Sequence, residues 1–204
     1  MTSIRFQVSA ILIALAGFII FLPDNRQSSG ELNVNAMLEA MNEPGQFLSV
    51  DQVARLVVYE DTSILLVDVR DQESYRAVHI PGAINIPVSD ILNPDWSGYL
   101  NDPAVKPVFY SNGNTLAGEA WMLCTQKGYT GSMIMMGGMN EWYREVMEST
   151  FKGGRISAAD NATFEVRYRA RDFFNRMNSM PDSLKTAFLE VKRKKEEELV
   201  GGCE

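Results

Sequence analysis

The side chains here that could do chemistry are two thiols, one imidazole and a run of small polar residues around a glycine. The cysteines are Cys124 and Cys203, and the only histidine is His79. Two thiols cannot build a disulfide framework or a zinc site, and a single imidazole removes most metal and cysteine–histidine chemistry. No metal and no cofactor is therefore expected. Cys124 falls at helical spacing with Ala120 and Leu123, which predicts a packed side chain. Cys203 lies in Gly201-Gly202-Cys203-Glu204, a flexible tail from which a thiol can reach a partner or a loop.

The polar run is Ser111-Asn112-Gly113-Asn114-Thr115-Leu116, set between an apolar run and a helical pattern. Asn and Gly in this order suit a turn lined by backbone N–H groups at a helix start. There the helix dipole adds partial positive charge, and the matching chemistry is to hold an anion. Ser111, Asn112, Gly113 and Asn114 are the candidate anion-binding residues. As a nucleophile Ser111 would need a positioned base. The histidine belongs to another loop, so Ser111 is not expected to be catalytic.

The elements that must position this loop are legible. Ser49 precedes Val50, and Val53, Leu56 and Val57 follow at helical spacing, predicting a capped helix from 49 to 56. Ser63 to Val69 is a continuous branched apolar run between polar residues, the pattern of a strand buried on both faces. Lys106 to Tyr110 and Ser132 to Met136 are two more. Between those two, Leu116 to Lys127 reads as a helix with Leu116, Ala120, Leu123 and Cys124 on its apolar side, stopped by Gly128. Strands alternating with helices imply an α/β domain with a parallel sheet covered on both faces.

Three blocks then occur in order: Asp68-Val69-Arg70, His79-Ile80-Pro81-Gly82-Ala83-Ile84-Asn85-Ile86-Pro87, and Gly137-Gly138 followed by Trp142. With the strand–loop–helix at 106 to 127, these resemble rhodanese (sulfurtransferase) domains over about half of the chain. The resemblance implies a rhodanese-like fold for residues 46–147 and places the active site in the 111–116 loop. The family motif there is Cys-x-x-Gly-x-Arg, whose cysteine carries a persulfide and whose arginine helps to bind an anionic substrate. Here Ser111 stands directly after the strand, where that cysteine belongs. Counted straight through, Leu116 takes the arginine's place; alternatively the loop is one residue shorter, since its glycine comes early. Neither register supplies a cysteine or an arginine. The other motif residues read structurally: Asp68 and Arg70 pin the following loop, His79 is a hydrogen-bonded loop residue, and Pro81 and Gly82 make a turn. Trp142, Met133, Met135, Met136 and Met139 read as core.

Outside this domain, residues 1–26 read as a membrane anchor or signal. Arg5 precedes the apolar stretch Val8 to Leu22, which Pro23-Asp24-Asn25-Arg26 closes. The reading favours an uncleaved single-pass anchor in the cell membrane, with Arg5 cytoplasmic and the domain on the extracytoplasmic side. Cleavage and release to a secreted or periplasmic location is the alternative. Residues 27–45 form a tether. Residues 148–204 form a C-terminal helical extension with two helices, Phe164 to Met177 and Ser183 to Leu199, which pack on the domain or on each other, or present a surface for a protein partner. Formal net charge is −7, and the basic run Lys192-Arg193-Lys194-Lys195 is followed at once by three glutamates. That balance argues against a nucleic-acid partner.

The sequence thus describes a membrane-tethered rhodanese-like domain without rhodanese chemistry, acting as a binding or scaffolding module. The alternative is a sulfurtransferase that carries sulfane sulfur on Cys203 or on a partner's thiol. A third reading, an anion sensor, requires the 111–114 loop to bind an anion and to lose it when Gly113 gains a bulky side chain.

Overall fold

A computed structural model of the chain describes residues 45–150, 157–181 and 183–184. The anchor, most of the tether, Cys203 and the segment beyond Leu184 lie outside the described residues. Among the described residues, no helix is long and apolar enough to cross a membrane.

The chain enters on a short strand β1 (Phe47–Leu48) and turns directly into helix α1 (Val50–Val58). A reciprocal cap starts this helix: the Ser49 hydroxyl accepts from the Gln52 amide at 3.2 Å, and the Gln52 side chain accepts from the Ser49 amide at 2.8 Å. Strand β2 (Ile64–Asp68) and helix α2 (Gln72–Ala77) follow, then β3 (Ile84–Asn85). A stretch of short helical turns ends in helix α3 (Ser97–Leu100) and leads to β4 (Lys106–Tyr110). Helix α4 (Thr115–Gln126), strand β5 (Met133–Met135) and helix α5 (Gly138–Trp142) complete the alternation. A π turn over Tyr143–Met147 extends α5, and helix α6 (Ala158–Ser179) closes the described fold.

The five strands form one sheet in the order β1-β5-β4-β2-β3, with every pairing parallel. Its central pair runs from Ile64 opposite Lys106 to Asp68 opposite Tyr110. Strand alternation divides the core into two layers. Leu66, Val108, Tyr110 and Met135 face a cluster with Val53, Val57, Trp142, Val166, Ala170 and Phe174. Val67, Val69, Phe109 and Ile134 face the other layer, with Ile86, Leu100, Ala117, Trp121 and Cys124. Trp142 is fully buried, and among the described residues its indole N–H is the one buried side-chain polar atom without a partner. It contributes volume and contact rather than a hydrogen bond.

The expected strands at 63–69, 106–110 and 132–136 and the helix at 49–56 are present within a residue or two. Three expectations need correction. Leu116 is 41% exposed, and the buried face of α4 is Ala117, Ala120, Trp121 and Cys124. Ala117, Ala120, Trp121 and Cys124 recur at i, i+3, i+4 and i+7 and pack against the sheet, a stripe rotated from the expected one that leaves Leu116 outside it in the first turn. Met136 is not core: it follows the last β5 residue and is 40% exposed. Helix α6 starts at Ala158 rather than Phe164, because Ser157 and Asp160 form a capping box inside a stretch that reads only as polar. Tyr168 on that helix is exposed, whereas Val166, Ala170, Phe174 and Met177 enter the core.

Candidate functional site

In an open parallel sheet the loops after the strands gather at the carboxyl edge, where such folds place ligands. Here β4 lies between β2 and β5, so the 111–114 loop sits between the segments that follow those two strands. Each neighbour fixes it. The Met139 amide donates to the Ser111 carbonyl at 2.8 Å, and the Asn140 amide donates to the Asn112 carbonyl at 3.0 Å. The Gly137 amide donates to Asn114 Oδ1 at 2.7 Å. From the β2 side, Arg70 Nη1 donates to Asn112 Oδ1 at 3.3 Å.

The seating depends on the glycine pair after β5. Gly137 and Gly138 have φ of +77° and +57°, which side-chain-bearing residues adopt at a cost. A Cβ on Gly138 would stand 2.3 Å from the Ser111 carbonyl oxygen and 2.8 Å from backbone atoms of Asn112 and Gly113. Two backbones touch there, and only a missing side chain allows it. Gly113, the glycine inside the loop, is different: a Cβ on it would meet nothing within 4 Å. The sensor test of a bulky residue at Gly113 therefore addresses an open position, and Gly138 is the glycine that shapes the loop. The sequence marks the Gly-Gly doublet but not its role, because the partner atoms are about 25 residues away along the chain.

Ser111 is buried, and its hydroxyl donates to the Gly113 carbonyl at 2.7 Å. Asn114 is the residue before α4, and its side chain gives that helix no cap because it is turned to Gly137. The first turn of α4, Thr115 and Leu116, is exposed. The arrangement is a rigid turn opening on a helix N-terminus, with neutral side chains at every position from 111 to 116.

Asp68 and Arg70 form the support of the site. Both are buried, and Arg70 Nε donates to Asp68 Oδ1 at 2.9 Å. Arg70 Nη2 also donates to the Val78 carbonyl at 2.7 Å, tying the β2 edge to the loop after α2. Burial opposes the guanidinium charge, but the Asp68 hydrogen bonds and charge outweigh it and hold the Arg70 pKa above its ordinary value. Tyr110 is pushed well above the usual tyrosine range by burial and by the Asp68 charge, and its hydroxyl accepts from the Ile80 amide at 3.1 Å. His79 stacks on Tyr75 with ring centroids 4.0 Å apart, and its Nδ1 lies 2.8 Å from the Tyr75 carbonyl. Its backbone exchanges two hydrogen bonds with the Asn178 side chain on α6. No sequence pattern connected those two residues, which are 99 positions apart. Cys124 is fully buried on the opposite face of the sheet from Trp142, and burial pushes its thiol from 9.0 up to about 12.

Comparison with known proteins matches this geometry to one family. The family model described as Rhodanese-like domain covers residues 49–145. The thiosulfate:glutathione sulfurtransferase of Saccharomyces cerevisiae is 31% identical over 107 residues, which are 48% of this chain and 77% of that protein. The chain belongs to the rhodanese-like family. This rhodanese-like chain is also 27% identical over 139 residues to the centrosomal protein of 41 kDa of Rattus norvegicus, covering 65% of this chain and 39% of that protein. Among solved structures, the human single-domain sulfurtransferase TSTD1 aligns over 50% of this chain and 98% of its own, at 27% identity and a TM-score of 0.42.

Proposed function

We propose that this rhodanese-like domain is a binding or scaffolding module that performs no sulfur transfer of its own. The observation that carries the reading is the residue at the end of β4. Ser111 occupies the place where the family motif has its persulfide-forming cysteine, and its hydroxyl is spent on the Gly113 carbonyl. A hydroxyl cannot store sulfane sulfur, and the chain's single imidazole, His79, is stacked on Tyr75 with its Nδ1 at the Tyr75 carbonyl. The one described thiol, Cys124, is buried and held protonated, so it cannot serve as a nucleophile. Leu116 at the start of α4 offers no charge to an anionic donor such as thiosulfate. The anion cradle of Ser111, Asn112, Gly113 and Asn114 remains as backbone only, and any anion it holds is held weakly.

The module is tethered to the membrane by residues 1–26 and faces outward, and it meets a protein partner through the C-terminal helices. Alkaline extraction of membranes tests the tether: an anchored chain stays in the pellet with its N-terminus intact, and a cleaved one is recovered soluble and shortened.

The function itself is tested by incubating the reduced full chain with thiosulfate and weighing it intact. One added sulfur is about 32 Da, peptide mapping assigns it to a given thiol, and its removal by a thiol reductant separates it from a sulfinic acid of nearly equal mass. The expected result is no adduct on the native chain and an adduct on the Ser111→Cys variant, whose loop is otherwise intact. A persulfide on Cys203 of the folded native chain would overturn the reading and make the protein a sulfurtransferase with a displaced cysteine.

A further inference from the structure

Helix α6 lies beyond the 49–145 span of the family match, yet its last turn grips the backbone of the 78–80 segment. Asn178 there accepts from the His79 amide at 3.2 Å and donates to the His79 carbonyl at 3.0 Å. Those groups belong to successive peptide units, one joining Val78 to His79 and one joining His79 to Ile80. The other end of each unit is held as well. The Val78 carbonyl accepts from Arg70 Nη2 at 2.7 Å, and the Ile80 amide donates to the Tyr110 hydroxyl at 3.1 Å. Both units are thus clamped between α6 and the residues that support the site. A planar peptide cannot tilt at one end without moving the other.

Arg70 and Tyr110 each lead on to the 111–116 loop. Arg70 Nη1 donates to Asn112 Oδ1 at 3.3 Å, and Tyr110, the last residue of β4, is joined covalently to Ser111. Arg70, Ile80 and Tyr110 are buried, so a bond lost among them is not replaced by one to water. Asn178 is itself aimed by a third bond, from Nδ2 to the Phe174 carbonyl at 2.9 Å, and Phe174 is packed beside Trp142. Further back on α6, Arg167 pairs with Asp51 at 2.7 Å and with Glu145 at 3.0 Å, seating the helix on α1 and on the turn after α5. Helix α6 stops at Ser179, so Asn178 sits in its final turn, the part of a helix that opens at least cost.

We propose that Asn178 is a positioning residue for the 111–116 loop, acting through the two peptide units between Val78 and Ile80. Helix α6 is then a built-in strap: seated, it holds the loop in shape, and a partner that draws its last turn away releases the loop. The strap works on loop geometry whatever the loop binds, so it stands apart from the question of sulfur chemistry.

Hydrogen exchange in the full chain gives the first readout. The Met139 and Asn140 amides donate to the loop carbonyls and so report its seating. Asn178→Ala is expected to speed exchange over 78–81 and 137–141 by roughly fivefold, the scale of one lost hydrogen bond, with 64–67 and 106–109 unchanged. Leu100→Ala, a core change on the other face of the sheet, controls for lost stability and should speed 137–141 by less. The second readout is the pH profile of alkylation of Ser111→Cys in a chain carrying Cys203→Ser. Loop amides hold that thiol's pKa down, so loosening the loop moves the profile to higher pH. Asn178→Ala and Tyr110→Phe should each move it, and together by less than the sum, because both act on the same segment. Cys124, protected from the reagent, shows that a variant is folded. If Asn178→Ala loses that protection, Asn178→Asp takes its place, keeping the acceptor for the His79 amide and losing the donor. Faster exchange confined to 78–81, with 137–141 and the pH profile unmoved, would overturn the proposal. Additive shifts, or a larger effect of Leu100→Ala on 137–141, would overturn it too.

Discussion

Replacing Gly138 by alanine puts one methyl group where two backbones touch, and the cost can be worked from the distances. A left-handed backbone at φ +57° costs an alanine roughly 1–2 kcal/mol relative to glycine. The new Cβ would lie 2.3 Å from the Ser111 carbonyl oxygen and 2.8 Å from the Gly113 nitrogen, so something must move. Overpacking of this kind costs roughly 1–3 kcal/mol. If the loop retreats, it gives up the hydrogen bonds from the Met139 and Asn140 amides, at about 1 kcal/mol each, which is a similar sum. The expected loss for Gly138→Ala is therefore about 3 kcal/mol, or a fall of about 1.5 M in the urea midpoint at a slope of about 2 kcal/mol per molar. Gly113→Ala is the matched control: its Cβ meets nothing within 4 Å and its φ is not left-handed. That variant should be neutral or up to about 1 kcal/mol more stable, because alanine narrows the unfolded ensemble. Both are read from urea unfolding curves followed by tryptophan fluorescence. A Gly138→Ala midpoint within 0.3 M of the native chain, or an equal loss in Gly113→Ala, would refute the backbone-contact argument.

Three further outcomes follow from the same structure. Asp68→Ala strands the Arg70 guanidinium inside the protein and should cost roughly 3–5 kcal/mol, whereas the double variant Asp68→Leu/Arg70→Met should recover much of it; equal losses in both, by chemical denaturation, would assign the effect to packing. Phe174→Ala removes a ring packed at 6.1 Å from Trp142 and 5.9 Å from Tyr143 and should cost about 3–5 kcal/mol, showing α6 to be part of the core; a change under 1 kcal/mol would mean that α6 docks loosely. Cys124 makes the fold sensitive to alkali: with its pKa raised from 9.0 to about 12, the folded chain keeps a proton that the unfolded chain releases. Its contribution is fully present below pH 9 and falls as pH rises towards 12, by an amount on the order of 4 kcal/mol. Cys124→Ala should flatten that part of the stability–pH curve, and an unchanged slope in that variant would remove the thiol as its source.

Much of the fold was written in local patterns. The branched runs at 63–69, 106–110 and 132–136 specify strands buried on both faces, and the alternation of their side chains already separates Val67 and Phe109 from Leu66 and Val108. The cap at Ser49 and the helix stop at Gly128 were legible for the same reason, since the groups involved lie within a few residues of one another. The residue types of the 111–116 loop, with neither thiol nor guanidinium, were fixed by the sequence alone. What the tertiary structure decided is everything that depends on strand order and on the angle at which helices leave the sheet. The side that α4 turns to the sheet buries Ala117 and leaves Leu116 exposed. The role of Gly138 exists only because β5 lies beside β4, which brings its backbone against a carbonyl 27 positions earlier. The exchange between Asn178 and His79, and the entry of Phe174 into the core beside Trp142, likewise join distant segments. Periodicity records which side of an element is apolar, but it holds no record of which other element covers that side, and that choice made the site.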